Sequence, residues 1–122
     1  MNKGGEVMVV KKLQQESIQE INSMGGKGAL GLEMLYSNEI KPSNVKVFAK
    51  ATLMPGDSIG YHVHTGESET YYILSGEGYY NDNGNFLNVN EGDVTVTCNG
   101  QGHSLENSGD TPLEFMVLIV FD

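Results

Sequence analysis

The chain contains no arginine, a single cysteine (Cys98) and only three histidines in 122 residues. Lack of arginine removes the side chain best suited to grip a carboxylate or phosphate in a bidentate fork. An anionic ligand would have to be held by lysine, backbone amides or a metal. Sixteen carboxylates against seven lysines leave a formal charge of −9, which repels phosphate backbones and makes a nucleic-acid partner unexpected. One cysteine excludes an intramolecular disulfide and fits a reducing compartment. Long apolar runs are absent too: Val7–Val10 is shorter than a signal-peptide core, and no segment reaches the length of a membrane span. These absences lead us to expect a soluble cytoplasmic protein without a membrane partner, and the length suits one domain.

What is abundant is glycine, at sixteen residues, punctuating the second half at short intervals. Between the glycines lie runs rich in valine, isoleucine, tyrosine, threonine and phenylalanine: Val45–Met54, Thr70–Leu74, Phe86–Val89, Val94–Thr97 and Phe115–Phe121. Such residues fit a pleated, half-buried surface. Asn81–Asp82–Asn83–Gly84–Asn85 marks a hairpin, because Asn-Gly accepts the positive φ angles of a tight turn. Short strands with frequent turns predict an all-β sandwich or barrel. The lone helical candidate is Gln14–Ile21, with Ser17 as its cap. Gly26–Lys27–Gly28–Ala29–Leu30–Gly31 matches the dinucleotide-binding string, but no clear strand precedes it and Lys50 stands where an acidic partner belongs. A turn with close backbone packing is the better reading.

Two of the three histidines, His62 and His64, are separated by one valine. On a strand, residues two apart share a face, so both imidazoles project together, with Gly60 next on that face. After the turn Thr65–Ser68, Glu69 opens a second run and can face the same interior. His103 follows in Gly100–Gln101–Gly102–His103–Ser104–Leu105–Glu106–Asn107. An isolated H-x-H is often a surface pair, and a lone histidine near glycines is often structural. Neither explains why three imidazoles and a carboxylate fall where one interior could collect them. That donor set suits a divalent first-row transition metal, and ligand type alone admits manganese, iron, cobalt, nickel, copper or zinc.

The same residues carry a resemblance. Gly56-x5-His62-x-His64-x4-Glu69-x6-Gly76 resembles the first cupin motif, and Gly92-x5-Cys98-x-Gly100-x2-His103-x3-Asn107 resembles the second. Cys98 departs from the pattern, standing where the family usually has proline. The resemblance implies a small double-stranded β-helix, a jelly-roll barrel, with His62, His64, Glu69 and His103 as ligands of one metal ion. It further implies a single domain over 1–122, with a short N-terminal arm at about 1–40 and the barrel at about 41–122. Gly25–Gly26–Lys27–Gly28 is similar to a segment of oxalate-decarboxylase-like cupins. The arginine and acidic lid on which those enzymes rely have no counterpart here, and Lys27 could act as a point charge only by folding over the barrel mouth.

Around the metal, Val45, Val47, Ala49, Ala51 and Leu53 share an inward parity, and the alanines leave room for a ligand or simply fill core. Tyr71 shares the parity of Glu69 and is a candidate for the catalytic machinery, or a packed core tyrosine. Tyr61 and Glu106 are further candidates for a general acid or base. Asn107 is expected to support a turn or strand end, and Cys98 to be a partly buried turn residue without activated reactivity. Phe115–Phe121 is apolar on both faces, which predicts a second subunit covering one of them and hence a homodimer. Three readings of function stay open. One is a metal-dependent enzyme acting on a small oxygenated organic acid or enol(ate) by oxygenation, decarboxylation or isomerisation. The others are a non-catalytic metal-dependent small-molecule binding or sensor protein, and a structural β-barrel whose histidines bind nothing.

Overall fold

A computed structural model describes residues 9–122, so Val7 and Met8 of the Val7–Val10 run lie outside the described residues. Ten strands follow in order: β1 Glu16–Ile21, β2 Ala29–Met34, β3 Val45–Leu53, β4 Ser58–Val63, β5 Glu67–Ser75, β6 Glu77–Asp82, β7 Asn85–Asn90, β8 Val94–Thr97, β9 Gly102–Asn107 and β10 Leu113–Phe121. Each of the five strand-like runs read between the glycines lies on a strand, with only Met54 falling past the end of β3. Asn83 and Gly84 alone connect β6 to β7, both at positive φ, as a two-residue hairpin turn demands.

All pairings are antiparallel and make two sheets, one of six strands in the order β1-β2-β3-β10-β5-β8 and one of four in the order β4-β9-β6-β7. This is the all-β jelly-roll architecture, but its edges are not hydrogen-bonded into a closed barrel. The seam is visible between β7 and β8, where a cavity of about 330 Å³ opens beside Asn88, Val89, Thr95 and Val96. β8, the short edge strand of the larger sheet, and β7, the edge of the smaller, make no ladder with each other.

β10 is the spine of the larger sheet, paired on both sides, with Val117 flanked by Ala49 of β3 and Tyr71 of β5. Its inward residues Leu113, Phe115 and Val117 join Leu53, Ile73 and Tyr80 in the core between the sheets. Ala49 and Ala51 are fully buried there. They are core filler and leave no opening for a ligand.

The helix expected at Gln14–Ile21 does not form. Glu16–Ile21 is strand β1, paired residue for residue with β2 and exposed along its length. Eight residues without a buried apolar face cannot sustain a helix, and the free edge of β2 offers backbone partners instead. Between β1 and β2 the chain makes a tight strap that includes a 3₁₀ turn at Ser23–Gly25. The glycine string thus runs from the strap into the first three residues of β2, with no helix for a dinucleotide to cap. Its packing is close: a Cβ at Gly26 would strike the Ser58 carbonyl, and one at Gly60 would strike the Met24 carbonyl. Lys27 and Ser58 exchange hydrogen bonds across this contact.

Candidate metal centre

Strands β4 and β9 run side by side, and their register sets His62 directly opposite His103. The pairing is irregular between Ile59 and His62. This bulge turns both Ile59 and His62 inward, against the strict alternation that would have put Gly60 on the histidine face. His64 lies just past β4 and is anchored by its backbone, whose N–H donates to Gln101 and whose carbonyl accepts from Gly100. Glu69 comes from β5 in the opposite sheet. Three imidazoles from one layer therefore meet one carboxylate from the other.

Their ligating atoms lie within 4.8 Å of one another. The Nε2 atoms of His64 and His103 are 3.1 Å apart, and those of His103 and His62 are 3.2 Å apart. Glu69 Oε1 lies 2.8 Å from Nε2 of both His64 and His103 and 3.9 Å from that of His62. The opposite ring nitrogens are all engaged. His62 Nδ1 is 2.8 Å from the Gly60 carbonyl oxygen, which can only accept, so this nitrogen carries the proton. His64 Nδ1 donates to the Glu67 carboxylate at 2.7 Å. His103 Nδ1 sits among the hydroxyls of Tyr80, at 2.8 Å, and Thr97, at 2.9 Å.

With Nδ1 protonated on His62 and His64, their Nε2 lone pairs converge, beside His103 Nε2, on the Glu69 carboxylate. Such an arrangement repels itself unless a cation is shared among its members, so the residues fit a divalent metal. Without a metal, the same closeness couples the titrations of these groups. Burial works against ionising Glu69, but the surrounding imidazoles of His103, His62 and His64 overcome it and bring its pKa to about 2. Burial, against the pull of Glu69, holds His103 below its ordinary value. Burial also disfavours charge on His62, yet Glu69 and the Gly60 carbonyl raise its pKa.

A cavity of about 260 Å³ opens onto the cluster, with His62, His64 and Glu69 on its floor. Tyr71 lines it as well, buried and stacked on His103 with ring centres 5.0 Å apart. Burial and the Glu69 charge raise the Tyr71 hydroxyl well above its ordinary pKa. Tyr61 and Glu106 lie exposed on strand faces turned away from the interior and do not line the cavity. Asn107 supports structure as expected: its side-chain amide donates to the carbonyls of Leu53 and Thr111, and its oxygen accepts from Gly109. Cys98 opens the turn to Gln101 and is exposed, not partly buried.

Two residues escaped the sequence reading. Glu67, assigned there to a turn, is the first residue of β5 and is buried with Glu69 and Tyr71 on one parity. Extending the alternation of Glu69 and Tyr71 back by two positions would have found it. Lys46 has the parity opposite to that of Val45 and Val47, which in a regular strand would face it outward, but a bulge intervenes: Ile119 pairs with Val47 while Val120 pairs with Val45, leaving Lys46 unpaired between them. The bulge re-aims its ammonium to the cavity rim, 2.8 Å from Glu67 Oε1. Lys27, the cation considered for this place, is exposed and does not line the cavity. Burial raises the Glu67 pKa, but Lys46 and His64 outweigh it and lower the value overall.

Comparison with known proteins places these features. A model of the cupin domain matches residues 49–120. The oxalate-binding protein of Thermotoga maritima is 42% identical over 118 residues, covering 97% of this chain and 98% of its own. A crystal structure from Thermotoga maritima described as a predicted oxalate decarboxylase superposes with a TM-score of 0.88 at 42% identity, over 94% of this chain and 100% of that one. A polyketide cyclase of Streptomyces resistomycificus shares the fold alone, with a TM-score of 0.76 at 16% identity over 96% of this chain and 81% of that one. A family match across more than half of the chain, together with a relative aligned over nearly its whole length, shows that this chain belongs to the cupin family.

Proposed function

We propose that the chain binds one divalent first-row transition metal through His62, His64, Glu69 and His103, and acts there on a small oxygenated organic acid or enol(ate). The observation that carries this reading is the convergence of three Nε2 atoms and a buried carboxylate beside a cavity open to ligand. A divalent ion held by three neutral imidazoles and one carboxylate keeps positive charge and polarises oxygen ligands, the common requirement of oxygenation, decarboxylation and isomerisation. The protein's own part is to fix the His62 and His64 tautomers through Gly60 and Glu67, to hold the His103 ring through Tyr80 and Thr97, and to present Lys46 at the rim as a cation for an anionic ligand. Metal analysis of protein purified without chelator tests this. A stoichiometric first-row metal in wild type, lost in a His62→Ala/His103→Ala variant, supports the site, and wild type that stays empty after incubation with manganese, iron or zinc refutes it.

A second reading, metal-dependent binding without turnover, draws on two observations. The full-length relative is named for binding oxalate. Tyr71, the catalytic candidate, has its proton held tightly by burial and the Glu69 charge, and Glu67 is already committed to Lys46 and His64. Turnover assays on the metal-loaded protein separate the two readings: product formation by wild type that Tyr71→Phe abolishes favours the enzyme. We also assign a homodimer, covering the outer face of the larger sheet where Tyr72, Val94 and Val96 are exposed beside half-buried Met116 and Leu118. A monomer mass in light scattering would refute it. A cytoplasmic location is the reading that the lone, exposed cysteine supports. Among the described residues no helix is long and apolar enough to cross a membrane.

A further inference from the structure

The cavity over the cluster is polar only at its floor and rim. The floor carries His62, His64 and Glu69; the rim carries the Lys46–Glu67 pair and Ser23, whose hydroxyl donates to Glu20 at 2.9 Å. Between them the walls are aliphatic, formed by Leu30, Leu32, Val47, Ile59, Val117 and Ile119. Met24, on the strap between β1 and β2, adds its side chain at the opening while its backbone sits at a φ of 52°. A positive φ on a methionine is a strained conformation, held here by the close packing of the strap on β4 at Gly26 and Gly60. The strap is thereby part of the cavity wall, which accounts for Gly26.

Size and lining together constrain the ligand. A cavity of roughly 150 Å³ lined by apolar side chains takes one benzene, so the 260 Å³ here has room for roughly ten non-hydrogen atoms. Oxalate has the same number of non-hydrogen atoms as benzene and is polar at every edge. Bound at the floor, it would leave the aliphatic walls facing water. Resting on the metal reading above, we infer that the ligand class of this site is a 2-oxo acid or related enol(ate) with an aliphatic body. The paired oxygens bind at the His62, His64, Glu69 floor, and the hydrocarbon portion lies along Val47, Ile59 and Val117.

A series with one head group and a growing body tests this. Protein loaded with Co(II), with metal content measured on the same sample, is titrated calorimetrically with pyruvate, 2-oxobutanoate and 4-methyl-2-oxopentanoate. Each CH₂ buried against the walls is worth about fourfold in affinity, so the six-carbon acid is expected to bind at least about tenfold tighter than pyruvate. Val47→Phe, which narrows the cavity at its wall, is expected to abolish that gain, to weaken oxalate far less than the six-carbon acid and to leave Co(II) content unchanged. Val47→Thr, a polar swap at a half-buried wall position, is expected to flatten the series. Affinity that is flat or falls with body length overturns the inference, as does a Val47→Phe variant that weakens oxalate and the six-carbon acid equally. Wild type that takes up no Co(II) overturns the metal reading itself, and this inference with it.

Discussion

Glu67→Gln isolates what holds the centre in register. In the structure Glu67 Oε2 accepts the proton of His64 Nδ1 at 2.7 Å, and Oε1 accepts from Lys46 Nζ at 2.8 Å. The carboxylate thus serves two donors at once. Glutamine has one oxygen and one amino group in the same space, so serving one donor leaves the amide nitrogen facing the other. Either orientation costs the site: the His64 proton loses its charged acceptor, or the Lys46 ammonium faces a like donor. The Nε2 lone pair of His64 then becomes less basic and its ring less firmly oriented. Loss of such a partner behind a ligating histidine typically lowers metal affinity 10- to 100-fold, which is about 1.4 to 2.7 kcal/mol.

His62 and His103 keep their own partners, Gly60 and the Tyr80–Thr97 pair, so the site should weaken without vanishing. The assay is competition for Zn(II) against a fluorescent chelator, with circular dichroism to establish that the variant is folded. Lys46→Met supplies the internal comparison. It removes the rim cation but leaves the Glu67–His64 bond, and should cost less than Glu67→Gln. A folded Glu67→Gln protein with Zn(II) affinity within twofold of wild type would refute the reasoning, because Glu67 would then be a bystander.

Three further outcomes are expected. Metal-stripped protein should lose stability in acid: the folded Glu69 pKa, about 2, lies below its ordinary 4.5. A carboxylate with a depressed folded pKa contributes fully above the unfolded value and loses that contribution as pH falls through the folded one. The loss therefore falls between about pH 4.5 and 2, is on the order of 3 kcal/mol, and should shrink in denaturant titrations of Glu69→Gln. Asn107→Ala removes the donor for two carbonyls and the acceptor for Gly109 in a residue only 2% exposed; a cost of about 3 kcal/mol is expected in urea unfolding, and less than 1 kcal/mol would argue that water replaces it. Gly60→Ala would drive a Cβ into the Met24 carbonyl and should cost about 1–3 kcal/mol as overpacking, with a fall in ligand affinity as the strap lifts; an unchanged melting temperature would show that the strap yields freely.

The clustering of His62, His64, Glu69 and His103 was legible because metal chemistry restricts residue type and strand geometry restricts spacing. Two histidines two apart must share a face in a regular strand, and few other residue types bind a first-row ion so well. The strands were legible for a similar reason, since a β-branched or aromatic run between glycines has few other folds open to it. β1 was not. Its sequence, ESIQEI, has no buried side to set a period, and only the exposed backbone edge of β2 makes it a strand.

The places where parity reasoning failed are the two bulges. A bulge adds one residue to one strand, reverses the facing of everything beyond it, and leaves no mark in composition. The bulge in β4 turns Ile59 into the cavity beside His62. The one at Lys46 replaces an outward lysine with the rim cation paired to Glu67. Likewise, nothing local to Gly26 or Gly60 says that each is a glycine because the other's strand passes over it.

By itself, then, the sequence determined the all-β class, the positions of most strands, the cupin pattern and the four side chains of the candidate metal centre. Each of these depends on residue type and short spacing, which are local properties of the chain. Only the tertiary structure decided what surrounds those four: the open seam between the sheets, the Lys46–Glu67–His64 chain, the hydroxyls behind His103 and the aliphatic walls of the cavity. Those features come from strand register and from the contact of segments distant in sequence. Backbone hydrogen bonding and packing choose among many registers that the same residues would allow.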